Sequence, residues 1–126
     1  MIEGLFSQPN YLMAKKSLDA IELRHTAIAS NIANLETPGY KRVDLAPSFS
    51  AELQRAFASG DSQQLAGLKP QIAVDSTALP LSRDGNTVSL ENELLQLNKN
   101  SLSHALETQL VTGALLRLRL AITGKS

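Results

Sequence analysis

The sequence predicts a mainly α chain, in which long N- and C-terminal helices pair as an antiparallel, coiled-coil-like hairpin. A small, irregular middle segment with a β-hairpin separates them. Three observations predict this class. Apolar residues recur at alternating steps of three and four over residues 9–34, and again over residues 89–122. Between those stretches the period is lost and turn residues collect. The 126 residues, 43% of them hydrophobic, suit one domain with a modest core. Its three segments are residues 1–35, 36–88 and 89–126.

In the first helix, Tyr11, Ala14, Leu18, Ile21, His25, Ile28, Ile32 and Leu35 form a seam held for more than three heptads. Lys15, Lys16, Asp19, Glu22 and Arg24 fall on the wet faces. A forced turn follows. Asn34 can take the left-handed conformation that closes a helix. Pro38 cannot continue one, and it pushes Thr37 towards an extended backbone. Thr37-Pro38-Gly39-Tyr40 has proline second and glycine third, the order of a type II turn. Tyr40 leaves the turn as its anchor.

In the middle, Pro47 and Ser48 start a short helix carrying Phe49, Leu53 and Phe57 on one stripe. Residues 59–67 are polar and contain glycine, which reads as a flexible loop. Residues 71–75 alternate like a short strand, and residues 87–90 offer a second. Asp84-Gly85-Asn86 between them is turn chemistry, and Val88 follows at the start of the second run.

Ser89 offers an N-cap for the second long helix, with Glu91 and Glu93 at the positive end of its dipole. Arg117, Arg119 and Lys125 stand towards the negative end. Leu90, Leu94, Leu97, Ser101, His104, Thr108, Val111, Leu115, Leu118 and Ile122 step by three and four as the expected seam. A second stripe, Leu95, Leu102, Leu106, Leu110, Leu116 and Leu120, lies on an adjoining face. One partner helix cannot cover both stripes, so the helix points to neighbours beyond its own chain. Antiparallel pairing would also bring His25 near Ser101 and His104, a polar layer that sets register. The expected helix-packing residues are Leu18, Ile21, Ile28, Ile32, Leu94, Leu97, Val111, Leu115, Leu118 and Ile122.

Several function classes recede on composition and motif. Twelve basic residues balance twelve acidic ones, which argues against a general grip on nucleic acid or anionic membrane. There is no cysteine, so disulfides and thiolate metal sites are excluded. That absence suits a reducing compartment or a chain that travels unfolded. The first residues lack the basic leader and apolar core of a cleaved signal. No glycine-rich phosphate loop or nucleophile elbow is present to serve a small-molecule substrate. His104 and Glu107 could supply two metal ligands, but a di-metal site needs such pairs from more than one helix. No cofactor and no enzymatic activity are expected.

Asn31-Ile32-Ala33-Asn34 followed by Thr37-Pro38-Gly39-Tyr40 resembles the signature near the N-terminus of bacterial flagellar rod and hook proteins. Asp84-Gly85-Asn86-Thr87-Val88, then Glu91 or Glu93, then residues 98–102, is similar to the proximal, B-type rod subunits, with the C-type rod subunits as the nearest competitor. The resemblance implies terminal helices paired in the inner core of a helical rod, with the middle facing outward. It implies export through the flagellar type III apparatus without a cleaved signal, and assembly in the periplasmic part of the basal body. The implied partners are copies of the chain, the C-type and distal rod subunits, and the adaptor joining rod to ring. A soluble helical adaptor or secretion chaperone is the competing class. It would account for the seams but not for the asparagine-rich stop with its proline-glycine turn.

Overall fold

The computed structural model describes residues 9–124. In chain order the elements are α1 (Pro9–Ala33), β1 (Val43–Leu45), α2 (Ser48–Ser59), α3 (Ser62–Gly67), β2 (Ile72–Val74) and α4 (Leu90–Thr123). The 25 residues of α1 and 34 of α4 span about 37 and 51 Å at 1.5 Å per residue. They run antiparallel. Asn31 meets Glu93 near the start of α4, and the Ile21 carbonyl accepts from Asn100 further along. Ala14 shares a cleft with Glu107 and Ala114.

The seam on α4 is rotated from the one its leucines suggest. Glu93 is fully buried, Asn100 and Leu118 nearly so, while Leu97, Glu107, Val111 and Ala114 are half-buried. With His104, these make an unbroken three-and-four ladder from 93 to 118. Leu94 at 46%, Leu115 at 43% and Ile122 at 57% exposure face outward instead. Glu93, Asn100 and Glu107 make alternate rungs polar as far as residue 107, each one position before the expected Leu94, Ser101 and Thr108. A polar rung can lie inside because it has dedicated partners. On α1, Ile28 is buried, Leu18, Ile21 and Ile32 are half-buried, and Asn31 is the residue most completely enclosed.

A second face of α1 receives the middle of the chain. Ala20 packs with Phe49, Leu53 and Ala56 of α2 and Leu65 of α3, bordered by Leu12, Met13, Leu45 and Leu68. Phe57, expected on that stripe, is only half-buried, because the helix turns Ala56 inward. Residues 59–67 are not a loop throughout. The Asp61 carboxylate accepts from the backbone N–H groups of Gln63 and Gln64 at 2.9 and 3.3 Å, which starts the short helix α3. Its Leu65 is 1% exposed and completes the core.

The small sheet is antiparallel, but its pairing differs from the expected hairpin. β2 pairs with β1, in the register Val43↔Val74, Asp44↔Ala73 and Leu45↔Ile72. Residues 87 and 88 are unavailable as a strand because their backbone is bonded elsewhere. The Thr87 N–H donates to the Tyr40 carbonyl at 3.1 Å, and the Val88 N–H to Asn86 Oδ1 at 2.8 Å.

Both ends of α4 are capped. Ser89 accepts from the Asn92 N–H, and Gly124, at φ +65°, closes the far end on the Leu120 carbonyl. Glu91 and Glu93 lie in the first turn as expected, whereas the last turn holds no basic residue. Arg119 falls just short of it, and Lys125 lies outside the described residues. None of the helices among the described residues is long and apolar enough to cross a membrane.

Candidate functional site

The residues singled out in the sequence converge where α1 ends, α4 begins and the middle segment departs. Asn31, 0% exposed, is the hub. Its Nδ2 donates to the Val43 carbonyl at 2.8 Å and to Glu93 Oε2 at 3.2 Å. Its Oδ1 accepts from the Val43 N–H at 2.9 Å and from the Tyr40 hydroxyl at 3.3 Å. One amide thereby satisfies both backbone groups of Val43, as a neighbouring strand would. Tyr40 also shares a hydrogen bond of 3.1 Å with the Ser30 hydroxyl, pinning the turn to the side of α1.

Asn34 does not adopt the left-handed conformation. No described residue other than glycine has a positive φ. The end of α1 tightens into i→i+3 bonds instead, with the Leu35 N–H on the Ile32 carbonyl and the Thr37 N–H on the Asn34 carbonyl. A side chain 49–52 residues away in sequence reinforces this stop. Asn86 Nδ2 donates to the Asn34, Leu35 and Thr37 carbonyls at 3.0, 3.1 and 2.8 Å. An external cap removes the need for a left-handed residue at position 34. Asn34 itself braces the stop, donating from Nδ2 to the Ser30 carbonyl and accepting at Oδ1 from Thr37.

Two turns lie against each other here. In the first, Gly39 has φ +72° and the Tyr40 N–H reaches the Thr37 carbonyl at 3.3 Å, as a type II turn requires. In the second, Gly85 has φ +81° and its N–H donates to the Ser82 carbonyl. Only Gly85 of its three turn residues uses positive φ. A Cβ on Gly85 would sit 3.9 Å from the Gly39 Cα, and Lys41 Nζ donates to the Gly85 carbonyl at 3.0 Å. Asp84 accepts from the Asn86 N–H and the Ser82 hydroxyl. These bonds, the serine's foremost, hold its carboxyl below the usual aspartate range. Val88, 6% exposed, closes the second turn over the start of α4. Ile32 and Ala33 complete the last turn of α1, the first half-buried and the second exposed.

Beneath the turns lies a charge cluster that the sequence reading missed. Arg42, 8% exposed, directs Nε at Glu93 Oε1 and one terminal nitrogen at both Asp44 Oδ2 and Asp75 Oδ2, each at 2.9 Å. Arg24 of α1 adds a 3.1 Å bond to Asp44. Burial alone would lower the Arg42 pKa, but hydrogen bonds and charge from Glu93 and Asp44 outweigh it and hold the pKa above the ordinary arginine value. Asp75 is held low, first by the Thr77 hydroxyl and against some desolvation, with further help from the Thr77 N–H and Arg42. The Arg42 N–H donates to the Thr87 hydroxyl at 2.8 Å, and its carbonyl accepts from Asp75. One arginine thus joins β1, the residue just after β2, α4 and Thr87 ahead of α4. A glutamate at the start of a helix is ordinarily read as serving the dipole, so Glu93 gave no cue to this partner. The available signal was the polar ladder at seven-residue spacing.

Further along the helix pair, His25, Ser101 and His104 line one cleft with Ile21, Glu22 and Asn100, close together as expected, but all three are exposed, so they do not form a layer inside the seam. Asn100 Nδ2 donates to the Ile21 carbonyl at 2.9 Å. Glu107 sits half-buried one turn beyond His104, and desolvation raises its carboxyl pKa. Among the described residues, no group of three or more histidines and carboxylates is placed to hold a metal.

The profile of the family described as "Flagella basal body rod protein" matches residues 24–41, the span from Arg24 through Asn31 to the Thr37–Tyr40 turn. The chain is 32% identical over 116 residues to the flagellar basal body rod protein FlgB of Borrelia hermsii, covering 78% of this chain and 84% of that protein. It is 32% identical over 107 residues to the FlgB of Salmonella typhimurium, covering 71% and 75%. It is 29% identical over 115 residues to that of Escherichia coli, covering 79% and 82%. These similarities make the chain a flagellar basal body rod protein, a structural class. Within that class, the chain belongs to the FlgB family.

Proposed function

We propose that this chain is a subunit of the proximal rod of the bacterial flagellar basal body, that it polymerises through coiled-coil-like helix packing, and that it passes torque from motor to hook. The observation that supports this most is the leucine face of α4. Leu95, Leu102, Leu106, Leu116 and Leu120 are each 45–64% exposed on a helix whose opposite side is already paired. An isolated soluble chain gains nothing from such a face, whereas a subunit in an assembly can bury it. Helices packed side by side through contacts that do not close on themselves make a stiff, open-ended shaft. Its neighbours are copies of itself, the C-type and distal rod subunits, and the adaptor between rod and ring. The chain reaches the periplasmic space through the flagellar type III export apparatus without a cleaved signal, and the absence of cysteine suits passage in an unfolded state. The polar knot fixes the angle at which the middle of the chain leaves the helix pair.

Fractionation tests the reading. The chain should copurify with detergent-extracted basal bodies and be missing from the periplasm of export-deficient cells. Recovery only in the soluble cytosolic fraction would favour the adaptor or chaperone class instead.

A further inference from the structure

We infer that Asp84–Gly85 is a site of spontaneous backbone modification, where aspartate converts through a succinimide to isoaspartate in the unfolded chain, and that the folded turn shuts this reaction off. The inference goes beyond the rod-subunit reading and does not depend on it.

The sequence places the site. Ring closure requires the backbone nitrogen of the following residue to reach the aspartate side-chain carbon. A side chain on that following residue obstructs the approach, whereas glycine has none and turns freely through both signs of φ. Asp84 is the one aspartate or asparagine in the chain that glycine follows. It is also exposed, so burial does not keep water from it.

Water is the only other reagent. The Gly85 nitrogen attacks Asp84 Cγ, and the carboxyl hydroxyl leaves as water together with the amide hydrogen. The succinimide ring then takes a water back. Addition at Cγ restores aspartate. Addition at the main-chain carbonyl carbon of Asp84 leaves the chain running through Cβ and Cγ, with the free carboxylate on Cα.

The folded turn withholds each requirement. The Gly85 N–H donates to the Ser82 carbonyl at 3.2 Å, so its hydrogen is engaged. The Asp84 carboxylate accepts from the Asn86 N–H at 3.0 Å and from the Ser82 hydroxyl. Cγ is therefore tied on both sides of Gly85 and cannot swing over that nitrogen without losing these bonds. Only the protonated acid has a hydroxyl to lose, and the same bonds hold the carboxyl below the usual aspartate range. Lys41 Nζ clasps the Gly85 carbonyl at 3.0 Å, and the Gly39 turn lies directly across. A reaction that needs the turn open runs at the unfolded rate multiplied by the open fraction.

The product would not fit. Isoaspartate adds a methylene to the main chain two residues before Asn86, whose Nδ2 must reach the Asn34, Leu35 and Thr37 carbonyls. A chain kept unfolded thus ages at the turn that later braces the end of α1.

The test uses the full chain, incubated at one neutral pH and temperature, either folded in buffer or unfolded in urea. Isoaspartate is measured by methyl labelling with a protein isoaspartyl methyltransferase and located by electron-transfer fragmentation. A synthetic peptide of residues 79–89, incubated with and without urea, reports any effect of urea itself. Isoaspartate should accumulate at position 84 as fast in the unfolded chain as in the peptide, and at least about tenfold more slowly in the folded chain, tenfold being an opening equilibrium of about 1.4 kcal/mol. Ser82→Ala, which takes only the hydroxyl from Asp84, should raise the folded-state rate about threefold, as for one modest hydrogen bond, and leave the rate in urea unchanged. Chain aged in urea and refolded should exchange the amides of residues 34–40 faster than fresh chain. Equal rates in folded and unfolded chain, labelling chiefly at another residue, or no label at position 84 in urea would overturn the inference. A folded-state rate that Ser82→Ala does not move would overturn the guard assigned to the turn.

Discussion

Asn31 and Glu93, 62 residues apart in sequence and both fully buried, are joined by a 3.2 Å hydrogen bond from Nδ2 to Oε2. The glutamate's other oxygen faces Arg42. The two long helices therefore meet at one end through an amide, a carboxylate and a guanidinium. Glu93→Ala removes one of three carboxylates around Arg42, which keeps Asp44 and Asp75, and should cost about 1–3 kcal/mol, the range for leaving a buried donor without its partner. Arg42→Met should cost more, because it takes the guanidinium from Glu93, Asp44 and Asp75 together. Urea denaturation of the purified chain measures both.

Asn86 closes three carbonyls at the end of α1 with a single side-chain nitrogen. Asn86→Ala takes that donor from the Leu35 carbonyl and a second donor from the Asn34 and Thr37 carbonyls, which keep their backbone bonds, and should cost about 1 kcal/mol. The damage should be local. Hydrogen exchange of residues 34–40 should quicken before that of the middle of α1 does, and uniform acceleration along α1 would contradict the cap.

A side chain at position 39 would be strained by conformation (φ +72°) rather than by space, since its Cβ would approach only the Asp84 carbonyl oxygen, at 3.9 Å. Gly39→Val should therefore cost about 1–2 kcal/mol from backbone alone, with Gly39→Asn milder because asparagine visits the left-handed region more readily. Swimming-halo diameter in soft agar should fall in the order glycine, asparagine, valine. Normal motility of the valine strain would argue against a strict turn.

Glu107 and Asp75 respond to pH in opposite senses. Burial raises the Glu107 pKa, so the folded chain holds this proton more tightly than the unfolded one, and stability falls as pH rises from the ordinary glutamate range through the raised value. Glu107→Gln should raise the thermal midpoint at pH 7, and the gain should vanish below about pH 4, where glutamate is protonated in both states. The Asp75 pKa is lowered, first by Thr77, so its contribution is present above the ordinary aspartate range and is lost as pH falls through the folded value. Asp75→Asn should therefore be the more harmful change at neutral pH and the less harmful one in acid. Thermal melts across pH 3–8 separate the two.

The long helices were legible because their period persists for many turns, and the stop at Thr37-Pro38-Gly39-Tyr40 because proline and glycine act locally. The face of α4 was not. Leucine outweighs glutamate and asparagine in any periodicity count, so the leucines at 94, 115 and 122 were assigned to a seam that Glu93, Asn100 and Ala114 occupy. What reverses the choice is the set of partners on Arg42, Asn31 and the Ile21 carbonyl, and those become neighbours only in the folded chain. The strand at 71–75 was legible, but its partner was not, for a related reason. Residues 87–90 alternate as well as 71–75 do, but Asn86 and Tyr40 had already claimed their backbone. Helix α3 was hidden by the polarity of residues 59–67, although Asp61 ahead of Leu65 carried a capping signal.

The unsatisfied Oδ1 of Asn100, enclosed mid-seam while its Nδ2 holds the Ile21 carbonyl, bears on how the helix pair answers twisting along its axis. Two leucine zippers can creep past each other by a heptad and arrive at nearly the same packing. Here a slip of seven residues would put the neutral Asn100 where Glu93 meets Arg42, and the acceptor Glu107 where Asn100 donates to the Ile21 carbonyl, so the charge at one station and the donor at the other are lost together. The pair accepts one less-than-ideal amide and in exchange has a detent, a position from which sliding is uphill both ways.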